Sequence, residues 1–183
     1  MQRIKLLLFL QVFWFAVAMQ AQTAAPKPDP ALRKLHVLVG HWTYEGEYKP
    51  GPLGPGGKVT GEYAAQMILG GFFLQGRYTE KGATGEARFL EIDGYDAANK
   101  NLTFHLYADD GSTFSGVLTA SGNTFTWTGK LVTGGKQYQI KEPFVCAGDF
   151  MSGTQRGEVS ADGKTWTPFF EAKYTKAKPA AKK

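Results

Sequence analysis

Side chains able to ligate a metal or move a proton are few and scattered. Histidine is the usual group for both tasks near neutral pH, and the chain has three: His36, His41 and His105. His36 and His41 lie five apart across a predicted helix end. His105 alternates with the apolar Phe104 and Leu106, which turns it outward. No spacing among them resembles a zinc site, and no metal is expected. Cys146 is the single cysteine. It follows the apolar run Pro143-Phe144-Val145 with no histidine nearby in sequence, so it reads as a buried, inert thiol, and no intramolecular disulfide can form. Asp93, Asp96, Asp149 and Asp162 sit in turn contexts, where a carboxylate bonds local backbone; their spacing is too sparse for a calcium loop. Gly-x-Ser-x-Gly is absent, and the glycine-proline run from Pro50 to Gly57 lacks the lysine and following helix of a phosphate loop.

The richer chemistry is aromatic. Along the chain, large rings recur on one parity of alternating segments. An inward-facing stripe would gather Trp42, Tyr44, Tyr48, Tyr63, Met67, Tyr78, Phe104, Phe114, Trp127, Tyr138, Phe170 and Tyr174. Buried tyrosine hydroxyls need hydrogen-bond partners, which a wet pocket or a ligand supplies. The candidate lining of a ligand pocket is therefore Trp42, Tyr44, Tyr63, Tyr78, Trp127, Tyr138 and Tyr174, with Arg156 as polar anchor if its strand bulges inward. An enzyme would need two converging titratable groups, for which Arg156, Glu171 and Tyr138 are the candidates.

These side chains need a frame, and the period of the sequence describes one. Asp29 can cap and Pro30 can open a short helix over Ala31 to Val39, which Gly40 stops. Beyond Gly40 the period falls to two. It predicts ten strands: His41 to Tyr48, Val59 to Leu69, Phe72 to Glu80, Glu86 to Ile92, Leu102 to Ala108, Thr113 to Ala120, Thr124 to Val132, Gln137 to Phe144, Phe150 to Ser160 and Trp166 to Lys176. Turn signals such as Asp109-Asp110-Gly111, Gly134-Gly135 and Asp162-Gly163 join neighbours as hairpins. Glycines inside the strands favour the sharp coiling of a closed barrel over a flat sandwich. The long link between the first two strands reads as a surface loop, with gating of the barrel mouth as the alternative.

The ends set the context. Arg3 and Lys5 precede an apolar stretch, and small residues follow at Ala16, Ala18 and Ala21, the order of an export signal. The apolar run is shorter than the roughly 20 residues that span a bilayer. The predicted organisation is a signal peptide over 1–21, a flexible linker over 22–30, a barrel domain over 31–175 and a disordered basic tail over 176–183. The product is expected to be exported, periplasmic or secreted, with no stable membrane anchor after cleavage. The formal net charge of +5 resides in the signal and the tail; the body from Gln22 to Thr175 carries −1. That charge distribution does not suit a nucleic-acid partner.

Leu35 to Glu45, LHVLVGHWTYE, resembles the start of the lipocalins and their calycin relatives, in which a short helix leads into Gly-x-Trp, here Gly40-His41-Trp42. The resemblance implies an all-β, up-and-down antiparallel barrel of about ten strands. It also implies a basic residue late in the last strand lying across Trp42, for which Lys173 and Lys176 are the candidates. A broader likeness runs through LVGHW, LGGFFLQGRY, EIDGYDAANK and SADGKTWTPFFEAKY, and is similar to the exported bacterial family called domain of unknown function 1579. That family implies the barrel and no activity. The ten-stranded nitrobindins, another calycin-like group, hold haem through a histidine near the C-terminus. This chain has no histidine after His105, so no haem and no other cofactor is expected. The function implied is binding of a small hydrophobic or amphipathic ligand inside the barrel. An enzyme acting on a small apolar substrate is the first alternative, and a solid barrel serving the cell envelope as a structural or interaction domain is the second.

Overall fold

A computed structural model describes residues 25–178. The export-signal expectation falls outside them, as does the end of the basic tail. A 3-10 helix over Pro30–Leu38 is followed by β1 (Gly40–Tyr48), β2 (Gly57–Ile68), β3 (Phe73–Gly82), β4 (Gly85–Asp96) and β5 (Asn101–Ala108). Then come β6 (Thr113–Ser121), β7 (Thr124–Thr133), β8 (Lys136–Cys146), β9 (Ser152–Ser160) and β10 (Thr167–Lys176). Each strand pairs antiparallel with the next, and β1 pairs with both β2 and β10, so the sheet closes into a ten-stranded up-and-down barrel. Closure leaves no free sheet edge.

The N-terminal helix is 3-10 rather than the ordinary helix its apolar face suggested. Its buried residues are Leu32, Leu35 and Leu38, a spacing of three that matches three residues per turn and stacks all three side chains on one line. Asp29 caps it as its position indicates, its Oδ1 accepting from the Ala31 N–H at 2.8 Å. This leucine row plugs one end of the barrel. Beneath it Trp42 donates its indole N–H to the Leu38 carbonyl at 2.9 Å. Lys176 spans the same end, its ammonium 5.1 Å from the Trp42 ring centre and 2.9 Å from the Val37 carbonyl oxygen. Of the two lysines named for that position, the structure selects Lys176, which therefore ends β10 instead of beginning a disordered tail.

At the opposite end the link from Lys49 to Gly56 folds back on itself. Gly51 and Gly54 exchange backbone hydrogen bonds of 2.9 and 3.1 Å, and Leu53 packs against the core. The Tyr138 hydroxyl lies 3.5 Å from the Pro52 carbonyl oxygen. The loop thus covers the mouth and rests on the barrel wall.

Candidate functional site

Alternation decides which side chains enter the barrel, and two close approaches decide where the tyrosines lie once inside. Gly61 stands opposite Tyr44 in the β1–β2 ladder, and Gly76 of β3 sits beside Tyr63 of β2. The Tyr44 ring lies flat over Gly61 and the Tyr63 ring over Gly76, so that any β-carbon at either glycine would collide with the ring. Room made by the missing side chains lets the rings lean along the wall. Tyr44 then stacks on Tyr174 at 4.7 Å between ring centres, and Tyr63 on Tyr78 at 4.3 Å.

The tyrosines face carboxylates. Glu80 of β3 accepts from the hydroxyls of Tyr44 at 2.9 Å and Tyr48 at 3.1 Å. Glu91 of β4 accepts from the Tyr78 hydroxyl at 2.7 Å. Two residues on, Asp93 points to the same side between Leu74 and Phe104, with none of its surface exposed. Glu142 of β8 stands opposite Trp127 and accepts from the Gln155 amide at 3.2 Å. The Asp93 carboxyl and the Trp127 indole N–H both adjoin the Glu91 carboxyl, although neither makes a well-formed hydrogen bond.

Burial sets the protonation of this belt. Removal from water disfavours the charged form of a carboxyl. It pushes Glu80 and Glu91 above the ordinary range, the hydroxyl bonds from the tyrosines opposing it. Asp93 rises further, through burial first and then because the Glu91 charge lies beside it. Glu142 is raised to about 8 by burial and by the charges of Glu91 and Glu80. At neutral pH the belt therefore holds protons that exposed carboxyls would have lost. The tyrosines, desolvated and facing carboxylates, stay neutral.

Between these groups lies a cavity of about 40 Å³, lined by Trp42, Tyr63, Tyr78, Trp127 and Tyr174, by Phe104, Phe114 and Phe144, and by Glu91, Glu142 and Gln155. A water needs roughly 10–15 Å³ of such space, so the chamber admits about three or four water-sized groups. A second recess of about 230 Å³ lies under the mouth loop, with Tyr48, Leu53, Phe169 and the Glu80 carboxylate on its walls. Glu80 lines this recess and not the chamber.

Of the residues expected in a pocket, Trp42, Tyr63, Tyr78, Trp127 and Tyr174 line the chamber. Tyr44 is inside but committed to Glu80. Tyr138 is buried at the mouth end, away from the chamber. Arg156 is a correction: it is exposed on the outer face, opposite Glu171. The irregularity that would have turned it inward lies in β10, between Pro168 and Phe170, where it buries both Phe169 and Phe170. Glu171 is likewise outside, ion-paired with Lys49 at 2.9 Å. Arg156, Glu171 and Tyr138 therefore do not form an interior polar centre.

Asp93 is a second correction. Asp96, Asp149 and Asp162 do bond the backbone of their turns, but Asp93 is in the barrel. The Asp93-Gly94 pair looks like a turn, yet β4 continues to Asp96, and Gly94 makes room for the Phe73 ring. Glu80, Glu91 and Glu142 were missed as well. The signal for them existed: each shares the parity of inward neighbours two residues away, Tyr78, Asp93 and the pair Ile140 and Phe144 respectively.

Two solved structures are similar to the chain. The crystal structure of Rv2717c from M. tuberculosis is similar at a TM-score of 0.60 and 15% identity, over 83% of this chain and 100% of that chain, a likeness of fold alone. A de novo designed fluorescence-activating β-barrel aligns with a TM-score of 0.42 and 10% identity over 78% of this chain and 95% of its own. No curated protein matches the chain. The family model described as "Protein of unknown function (DUF1579)" matches residues 27–176, and the chain belongs to that family.

Proposed function

We propose that the protein is an exported binding module of the lipocalin-like, calycin kind. In this reading it takes the head of a small amphipathic molecule into the chamber and leaves the rest in the recess under the mouth loop. The observation that carries this is buried polarity around an interior space: Glu91, Glu142, Gln155 and the Trp127 indole line the chamber, where a barrel meant only to be solid would hold apolar side chains. Buried polar groups without partners cost about 1–3 kcal/mol each, and apolar side chains of the same size would fill the volume without that cost. A wholly hydrophobic occupant fits poorly. The chamber is far below the roughly 300 Å³ at which drug-sized pockets begin, and it would set hydrocarbon against Glu91 and Glu142.

Native mass spectrometry of protein taken from its host without refolding tests the proposal. A stoichiometric non-protein mass supports it. Bare protein, together with a high-resolution structure in which only ordered water fills the chamber, removes it.

A second reading rests on one feature. Glu91 and Asp93 are neighbouring buried carboxyls of which one retains a proton at neutral pH, beside the Tyr78 hydroxyl. Such a pair can give and take a proton, as an enzyme acting on a small substrate requires. Turnover lost in Glu91→Gln and in Tyr78→Phe, with binding retained, would establish it over simple binding.

A further inference from the structure

We infer that the chamber is selective for a small organic cation, a protonated amine or quaternary ammonium group. The inference rests on the binding reading above and specifies its ligand.

The argument begins with the sign of everything that faces inward. Among the described residues, the side chains entering the barrel include four carboxyls, Glu80, Glu91, Asp93 and Glu142, and a single cation, Lys176. Lys176 is not available to the belt: its ammonium lies at the plugged end, on the Val37 carbonyl and the Trp42 ring. The remaining chamber wall is aromatic. Ring faces carry negative potential and attract cations within about 6 Å of their centres; Tyr63, Tyr78, Trp127 and Tyr174 lie in this wall, with Tyr63 and Tyr78 turning one face to each other and Tyr174 one to Tyr44. Carboxyls and ring faces thus act in the same direction. An anion would face Glu91 and Glu142 with no cation beside them. A neutral molecule would leave the carboxyls protonated, with no charge to set against them.

A cation would relieve the crowding of carboxyls around Glu91. With a positive charge in the chamber, Glu91 can ionise without the full penalty of burial. Its carboxylate would then accept from Trp127, whose N–H lies on its side of the chamber, as well as from Tyr78. Asp93, next to Glu91 on the same strand, would share its remaining proton with that carboxylate. Size divides the ligand: three or four water-sized groups hold the ammonium nitrogen with two or three of its carbons, and the remaining carbons of a quaternary group extend towards the recess under the mouth loop.

The pH dependence follows from Glu142. Its surroundings are Glu91 on β4, Glu80 on β3, Gln155 on β9, Tyr174 on β10 and Tyr48 on β1, none of them cationic. A cation binds the ionised form, so affinity rises with pH until that carboxyl has lost its proton.

Calorimetric titration of the mature chain tests the inference with four probes: tetramethylammonium, choline, its uncharged carbon isostere 3,3-dimethylbutan-1-ol, and acetate. Expected results are choline binding at least tenfold tighter than the isostere, no binding of acetate, and choline affinity rising about tenfold between pH 6.5 and 8.5. Glu142→Gln should weaken choline at least tenfold and flatten that rise, while Glu62→Gln, on the outer face, leaves both intact. Should Glu142→Gln fail to fold, Glu91→Gln serves, and the choline–isostere comparison on the unaltered protein needs no variant. Equal or tighter binding of the isostere or acetate overturns the cation inference and leaves the binding module standing. Failure of all four probes overturns it too, and the mass spectrum then decides the binding reading: an uncharged occupant keeps that reading, an empty barrel ends both.

Discussion

The two halves of the barrel interior are built on opposite principles. At the plugged end, Leu32, Leu35 and Leu38 close over Trp42, whose N–H is bonded, and the one charged side chain there rests on a carbonyl and a ring face. In the belt, four carboxyls are drawn out of water, Asp93 beside the Glu91 carboxyl with no cation among the described residues near either. The first arrangement lowers the free energy of the folded state with every contact. The second raises it, and a fold keeps such features where they serve a ligand or a reaction. Substitutions should therefore move stability in opposite directions at the two places.

The largest effect belongs to the plugged end. Trp42→Ala should cost about 3–5 kcal/mol, the usual loss for truncating a buried large aromatic, read from chemical unfolding monitored by tyrosine fluorescence. A loss below about 1 kcal/mol, the ordinary size of a mutational effect, would mean that the plug is not part of the folding core. Next, Gly76→Val forces the Tyr63 ring off the wall it covers. Overpacking of this kind costs about 1–3 kcal/mol, and it should also disturb the Tyr63–Tyr78 stack, visible in the near-ultraviolet circular dichroism.

The belt reverses the sign. Asp93→Leu replaces a buried carboxyl by an apolar side chain of the same branching and should stabilise the protein by about 1–3 kcal/mol. An unchanged or lower midpoint of unfolding would show that the contact with Glu91 outweighs the cost of burying Asp93. The smallest effect per unit is the dependence on pH. Glu80, Glu91, Asp93 and Glu142 hold their protons to higher pH in the folded state than in the unfolded chain. Between those values the folded state binds more protons, so stability is greatest at low pH and falls as pH rises from about 5 towards 8. The slope is at most about 1.4 kcal/mol per pH unit for each group. In Glu142→Gln the part of the fall nearest pH 8 should vanish.

Sequence periodicity carried the frame: ten strands, their order and most inward positions follow from apolar alternation between turn signals, while the likeness of Gly40-His41-Trp42 to the lipocalins implied a basic residue across Trp42, Lys173 or Lys176, which the structure narrows to Lys176. The carboxylate belt was not read, because a charged residue in a strand is assigned to the solvent face unless something outweighs the cost of burying it. That cost is offset here by tyrosine hydroxyls and by retained protons: Tyr78 bonds Glu91 across the β3–β4 hairpin, Tyr44 and Tyr48 of β1 reach Glu80 two strands away, and Glu142 of β8 meets the charges of Glu91 and Glu80 only once the barrel closes. The Asp93-Gly94 pair misled for a local reason, since the dipeptide that makes a turn also makes room for Phe73. Arg156 misled because the bulge exists, but one strand away.

Carbon-13 resonances of the carboxyl groups, followed through a pH titration, test the enclosed belt most directly. Glu142 should titrate near 8, with Glu80, Glu91 and Asp93 also displaced upward, well apart from the range of about 4–5 usual for carboxyls in water. If all the glutamates and aspartates were to titrate together below about pH 5, these carboxyls would be in contact with bulk water, and the chamber described here would not exist.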